Sequence, residues 1–137
     1  MPDVTDRRRG TPTPRLHHLA LRVSDCERSL AFYSGLLGLA EVRRIEEGGA
    51  LRAVWVATGG VVIMLESSLR GAGPPSGSGH VLAFEASDLA SWEERLAASA
   101  VPIDDRTAET LFIRDPDGHR VGLSAHRFPA EFFVPTR

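Results

Sequence analysis

One pattern occurs twice in this chain, and it leaves few folds open. A short apolar strand, a capped helix and three further strand-like segments fill residues 15–66, and the same order returns over 80–126. A shift of 63 residues lays Ser24-Asp25 on Ser87-Asp88, Cys26 on Leu89, Tyr33 on Leu96 and Leu37 on Ala100. A shift of 58 lays Gly60 on Gly118 and Leu65 on Leu123, the smaller offset reflecting shorter loops in the second copy. Self-similarity at this length marks one supersecondary unit built twice. The expected fold is α+β, two βαβββ modules related by an approximate two-fold axis.

Each element has a local cause. Leu16 to Val23 alternates, with Leu19, Leu21 and Val23 on one face and His18, Ala20 and Arg22 on the other. Ser24 with Glu27 reads as a capping box opening a helix whose inner side carries Cys26, Leu30, Tyr33 and Leu37, and Gly38 ends it. Strands are expected over Ala40–Ile45, Leu51–Ala57 and Val61–Glu66, the last two joined at Gly59-Gly60. In the second copy a strand over His80–Ala86 precedes a helix capped at Ser87-Asp88, with Leu89, Trp92, Leu96 and Ala100 inward and Pro102 as a breaker. Short strands follow around Ile103, over Thr110–Arg114 and over His119–Ala125, the last two joined by Asp115-Pro116-Asp117-Gly118.

The remainder reads as connection. Residues 1–14, with Arg7, Arg8 and Arg9, form a loose tail; 67–79, rich in Gly, Ser and Pro, connects the modules; 127–137 is a C-terminal tail. The span 15–126 is read as a single domain, since 137 residues at 42% hydrophobic suffice for one core. A formal charge of −2 argues against nucleic acid or an anionic membrane as partner, and no apolar run approaches the roughly 18 residues that span a bilayer. Cys26 is the only cysteine, which excludes an internal disulfide and a multi-cysteine zinc site and suits a cytoplasmic location.

The segments His18-Leu19-Ala20-Leu21-Arg22-Val23-Ser24-Asp25, Arg28-Ser29-Leu30-Ala31-Phe32-Tyr33, Leu36-Leu37-Gly38-Leu39 and Phe112-Ile113-Arg114-Asp115-Pro116-Asp117-Gly118 resemble hallmark stretches of the vicinal oxygen chelate superfamily. That superfamily includes glyoxalase I, bleomycin and fosfomycin resistance proteins, extradiol dioxygenases and methylmalonyl-CoA epimerase. The resemblance implies curved mixed sheets with helices outside, two modules enclosing a cleft, and a homodimer. It covers about Leu16 to Ser124 and marks a scaffold shared by metal enzymes and metal-free binders.

The resemblance also implies four related metal positions, at the start of the first strand and in the fourth strand of each module. Strand parity and the two offsets put them at His18, Met64, Val81 and Gly122, one ligand where a divalent site needs three or more hard donors. His80 shares its parity with His17 rather than His18, so the two obvious histidines do not pair. No cofactor is therefore expected, with a divalent metal on His18, Glu66 and His126 as the unorthodox alternative.

The cleft is expected to be lined by His18, Arg22, Met64, Glu66, Val81, Glu85, Gly122 and Ser124. Arg22 and Glu85 fall on each other under the shift of 63, as a clamp for a polar ligand, an ordinary ion pair or two solvated strand ends. Glu66 is the candidate general base, without a convincing second acid or base at a matching spacing. Trp55, Phe128, Phe132 and Phe133 would line a pocket or serve as packing, Cys26 is inert packing, and His119 is solvent exposed. The expected function is binding of a small, partly apolar molecule, in the manner of a bleomycin-resistance-type protein and without catalytic metal. Two other classes stand beside it: a metal-dependent lyase, isomerase or dioxygenase built around His18, and an interaction protein with a vestigial cleft.

Overall fold

The structure, a computed structural model, describes residues 15–69 and 80–133. The expected N-terminal tail, residues 70–79 of the connector and the last four residues of the C-terminal tail lie outside the described residues. Two four-stranded mixed sheets carry the fold, in the orders β1-β4-β3-β2 and β5-β8-β7-β6. The first is built from β1 (His18–Arg22), β2 (Ala40–Glu47), β3 (Ala50–Thr58) and β4 (Val61–Glu66). The second is built from β5 (Val81–Glu85), β6 (Asp105–Arg106), β7 (Thr110–Arg114) and β8 (Arg120–Ser124). In each, the first strand runs parallel to the fourth and the rest pair antiparallel.

The ladders reproduce the repeat residue by residue. His18 stands opposite Val62 and Ala20 opposite Met64, while Val81 stands opposite Arg120 and Ala83 opposite Gly122, which are the shifts of 63 and 58. In the third strand Trp55 pairs with Met64 where Phe112 pairs with Gly122. That offset is 57, because the equivalent pair of Arg114 with Arg120 encloses one residue more than that of Ala57 with Val62.

Local structure departs from expectation where a distant partner intervenes. Helix α1 (Cys26–Leu30) is capped by Asp25, whose side chain accepts from the N–H groups of Glu27 and Arg28; Ser24 is not the cap, and its N–H donates to Asp117 Oδ1 at 2.9 Å. The helix then widens into π turns over Ala31–Leu36, where Leu37 N–H bonds to Phe32 O at 3.0 Å. The expected inner residues face the core, Cys26 and Tyr33 buried and Leu30 and Leu37 half-buried against it, and Ser29, Phe32 and Leu36 are buried beside them. Helix α2 (Leu89–Ala98) is capped by Asp88, which accepts from Ser91 N–H. Ala100 is not an inner residue: it is exposed at φ 58, in the left-handed turn that stops the helix, with Val101 N–H returning to Leu96 O. The strand expected around Ile103 is only Asp105–Arg106, and Ile103 packs on the core instead.

A single core lies behind both sheets. Leu21, Val54, Val56, Ile63 and Leu65 from the first meet Leu111, Ile113, Val121 and Leu123 from the second, with Phe32, Tyr33 and Leu96 from the helices. The modules are further joined at the turn Asp115–Gly118. Buried Asp115 accepts from the Tyr33 hydroxyl at 2.8 Å and, through its other oxygen, from the N–H groups of Asp117 and His119. His119 is half-buried there rather than solvent exposed, its Nε2 2.8 Å from Arg22 O. Cys26 is buried as expected, its thiol 3.3 Å from Arg52 O, and burial pushes its pKa up.

Candidate functional site

Because the helix-facing sides of both sheets share that core, the opposite sides are left for function. Each presents a three-by-three grid of side chains. On the first module the rows are His18, Val62, Ala57; Ala20, Met64, Trp55; and Arg22, Glu66, Ala53. On the second they are Val81, Arg120, Arg114; Ala83, Gly122, Phe112; and Glu85, Ser124, Thr110. The eight residues expected to line a cleft all fall on these two grids. The two faces turn away from the common core and belong to separate sheets that do not close on one another.

The first face is apolar at its centre and basic at its rim. Ala20, Val62, Met64 and Trp55 are half-buried. The Trp55 indole N–H donates to Glu66 Oε2 at 3.0 Å, Arg52 stands 3.8 Å from the other Glu66 oxygen, and Arg43 lies 5.3 Å from the Trp55 ring centre. Glu66 is thus held by an indole and a guanidinium. Arg22 donates to Leu69 O at 2.8 Å. His18 is exposed and its Nδ1 lies 2.9 Å from that of His17.

The second face is more polar. Arg120 lies 4.2 Å from the Phe112 ring centre and reaches Asp105 at 3.1 Å, while Arg114 pairs with Asp104 at 3.1 Å. Thr110 Oγ1 donates to Ser124 Oγ at 2.8 Å. Glu85 pairs with Arg127 at 3.4 Å, so Arg22 and Glu85 do not form a pair with each other. A cavity of about 470 Å³ opens beside Ser124 and Glu85, walled by Ala83, Phe84, His126, Arg127 and Phe128; among the described residues its lining comes from the second module and the segment after it.

The donor set does not fit the metal that the fold implies. At the four related positions stand one imidazole, one thioether, one isopropyl group and one hydrogen. A Cβ built on Gly122 would meet Thr110, Ala83 and Phe112 at 3.4–3.5 Å, ordinary contact, so the position itself does not demand glycine. The unorthodox set is not brought together either. His18 contacts His17, Glu66 contacts Trp55 and Arg52, and His126 pairs with Glu109 at 3.1 Å. Among the described residues no group of three or more His, Cys, Asp or Glu is gathered.

Sequence reasoning missed Thr110, Phe112 and Arg120 as face residues and Arg127 as a cavity wall; Phe128, expected to line a pocket or serve as packing, lines this cavity, and His126, expected only as a metal ligand, lines it too. The first three were within reach of the repeat, since each lies in the same grid as a residue found by offset. Arg127 follows the last repeated strand and had no counterpart in the first module to signal it.

The family model described as Glyoxalase/Bleomycin resistance protein/Dioxygenase superfamily matches residues 15–123. Among solved structures, TnmS3, an antibiotic binding protein from Streptomyces sp. CB03234, superposes with a TM-score of 0.66 at 21% identity, over 83% of this chain and 97% of that one. TioX from Micromonospora sp. ML1 gives 0.65 at 18% identity, over 83% and 100%. Lactoylglutathione lyase from Agrobacterium tumefaciens gives 0.61 at 23% identity, over 83% and 95%. At these identities the likeness is one of fold. No curated protein sequence matches the chain.

Proposed function

The chain belongs to the glyoxalase/bleomycin resistance protein/dioxygenase superfamily, and we propose that it is a small-molecule-binding member of the bleomycin-resistance type, holding a partly apolar ligand on its open sheet faces without the family metal. The observation that carries this reading is the residue set at the four ligand positions: His18, Met64, Val81 and Gly122 supply a single hard donor. The faces around them keep what a ligand needs, an apolar centre at Trp55, Met64 and Phe112 with polar groups at Arg22, Glu66, Glu85 and Ser124. The likeness in fold to an antibiotic binding protein supports the same class of ligand. The metal-enzyme alternative needs His18, Glu66 and His126 in one site, and each has a different partner.

A homodimer completes the proposal. With one core behind both sheets, the first face of one copy meets the second face of another, and the ligand lies between them. The exposure of Val42 and Val81 on the sheets supports an apolar partner. The span 15–126 acts as one domain within this arrangement, and the lone buried Cys26 suits a cytoplasmic setting.

A thermal-shift screen of chemically broad small molecules, run on chelator-treated protein, tests the reading. A true ligand at a hundredfold excess over its Kd adds about 2.7 kcal/mol to stability. Stabilisation that survives chelation and is reduced by Trp55→Ala is expected, together with a dimeric mass in light scattering. A flat response across the screen points instead to an interaction protein.

A further inference from the structure

We propose that the C-terminal segment from His126 to Phe128 builds a pocket on the second module for a planar aromatic compound bearing a carbonyl or similar acceptor oxygen. The inference rests on the small-molecule reading above and names the class of ligand. The cavity beside β5 and β8 holds about 470 Å³, within the range of roughly 300–1,000 Å³ typical of ligand sites. Its lining includes Ala83, Phe84 and Phe128, whose ring stacks against Phe132 with centres 5.8 Å apart and meets His126 edge-on at 5.2 Å. An aromatic wall prefers a flat ring offset against it.

The polar requirement comes from Ser124. Its oxygen accepts from Thr110 Oγ1 at 2.8 Å and from the His126 N–H at 3.2 Å, which leaves the hydroxyl hydrogen to be donated. Ser124 lines the cavity, so an acceptor oxygen on the ligand completes its bonding. Glu85 and Arg127 neutralise one another at the rim at 3.4 Å, so a net charge on the ligand is not called for.

Isothermal titration with three probes separates the contributions. Coumarin is planar with a carbonyl acceptor, naphthalene is planar without one, and 1-decalone has the acceptor but no aromatic ring. Coumarin is expected to bind best. Phe128→Ala weakens coumarin and naphthalene about three- to tenfold. Ser124→Ala weakens coumarin by a similar factor and leaves naphthalene unchanged. Melting curves of both variants establish that they are folded, and Phe128→Leu, which keeps bulk without the ring, loses the preference for coumarin over 1-decalone. Equal coumarin affinity in wild type and Phe128→Ala, or no saturable coumarin binding to wild type, overturns the proposal. A screened ligand lost in Trp55→Ala but retained in Phe128→Ala overturns this pocket alone and leaves the binding reading standing.

Discussion

An Asp115→Ala variant is expected to unfold about 3–5 kcal/mol more easily than wild type, a fall of roughly 10–15 °C in melting temperature for a chain of this size. The carboxylate is 5% exposed and accepts three hydrogen bonds, from the Tyr33 hydroxyl and from the N–H groups of Asp117 and His119. Alanine would strand the fully buried Tyr33 hydroxyl, at about 1–3 kcal/mol if nothing replaces the bond, and would remove the acceptor of two half-buried N–H groups. The loss spreads further, because the same turn positions Asp117 against the Ser24 N–H at 2.9 Å and His119 against Arg22 O at 2.8 Å. Chemical denaturation followed by circular dichroism measures it. A loss below about 1 kcal/mol would mean that the turn does not hold the modules together.

Stability should also fall steeply in alkali. Burial, and next the Asp115 carboxylate, push the Tyr33 phenol far above its usual range, and burial raises the Cys26 thiol as well. Both groups stay protonated in the folded chain at a pH where the unfolded chain has released its protons. Their contribution is whole below the unfolded pKa values, about 8.5 for the thiol and 10 for the phenol, and declines as pH climbs past each. Each group adds a slope of about 1.4 kcal/mol per pH unit until its folded pKa is reached. The chain has one tyrosine, one cysteine and no lysine, so side-chain titration in this window is unusually simple. Tyr33→Phe is expected to be less stable at neutral pH yet flatter above pH 10. An identical alkaline slope in the two proteins would contradict the account.

These two predictions rest on contacts that local sequence did not carry. Parity and the two offsets placed the first and fourth strands of each module, their register and their outward faces, because an alternating β pattern is written in consecutive residues and the repeat checks one copy against the other. The bonds of Ser24, Tyr33 and Arg22 to a turn some 80 to 100 residues away, and with them the half-burial of His119, are not written in neighbouring residues. Ala100 ended its helix in a left-handed conformation usually left to glycine, so its composition gave no warning. On the site, Met64 and Gly122 were legible through the offset of 58. The pairing of Glu85 with Arg127 was not, since Arg127 follows the last repeated strand and has no symmetry mate to reveal it.

The account turns on the absence of hard donors at Met64, Val81 and Gly122. The most direct measurement is elemental analysis of the protein after incubation with manganese, iron, nickel or zinc and exhaustive dialysis, repeated on His18→Ala. The account predicts metal far below one equivalent per chain, with no difference between the two proteins. A stoichiometric metal in wild type that disappears with His18 would contradict it.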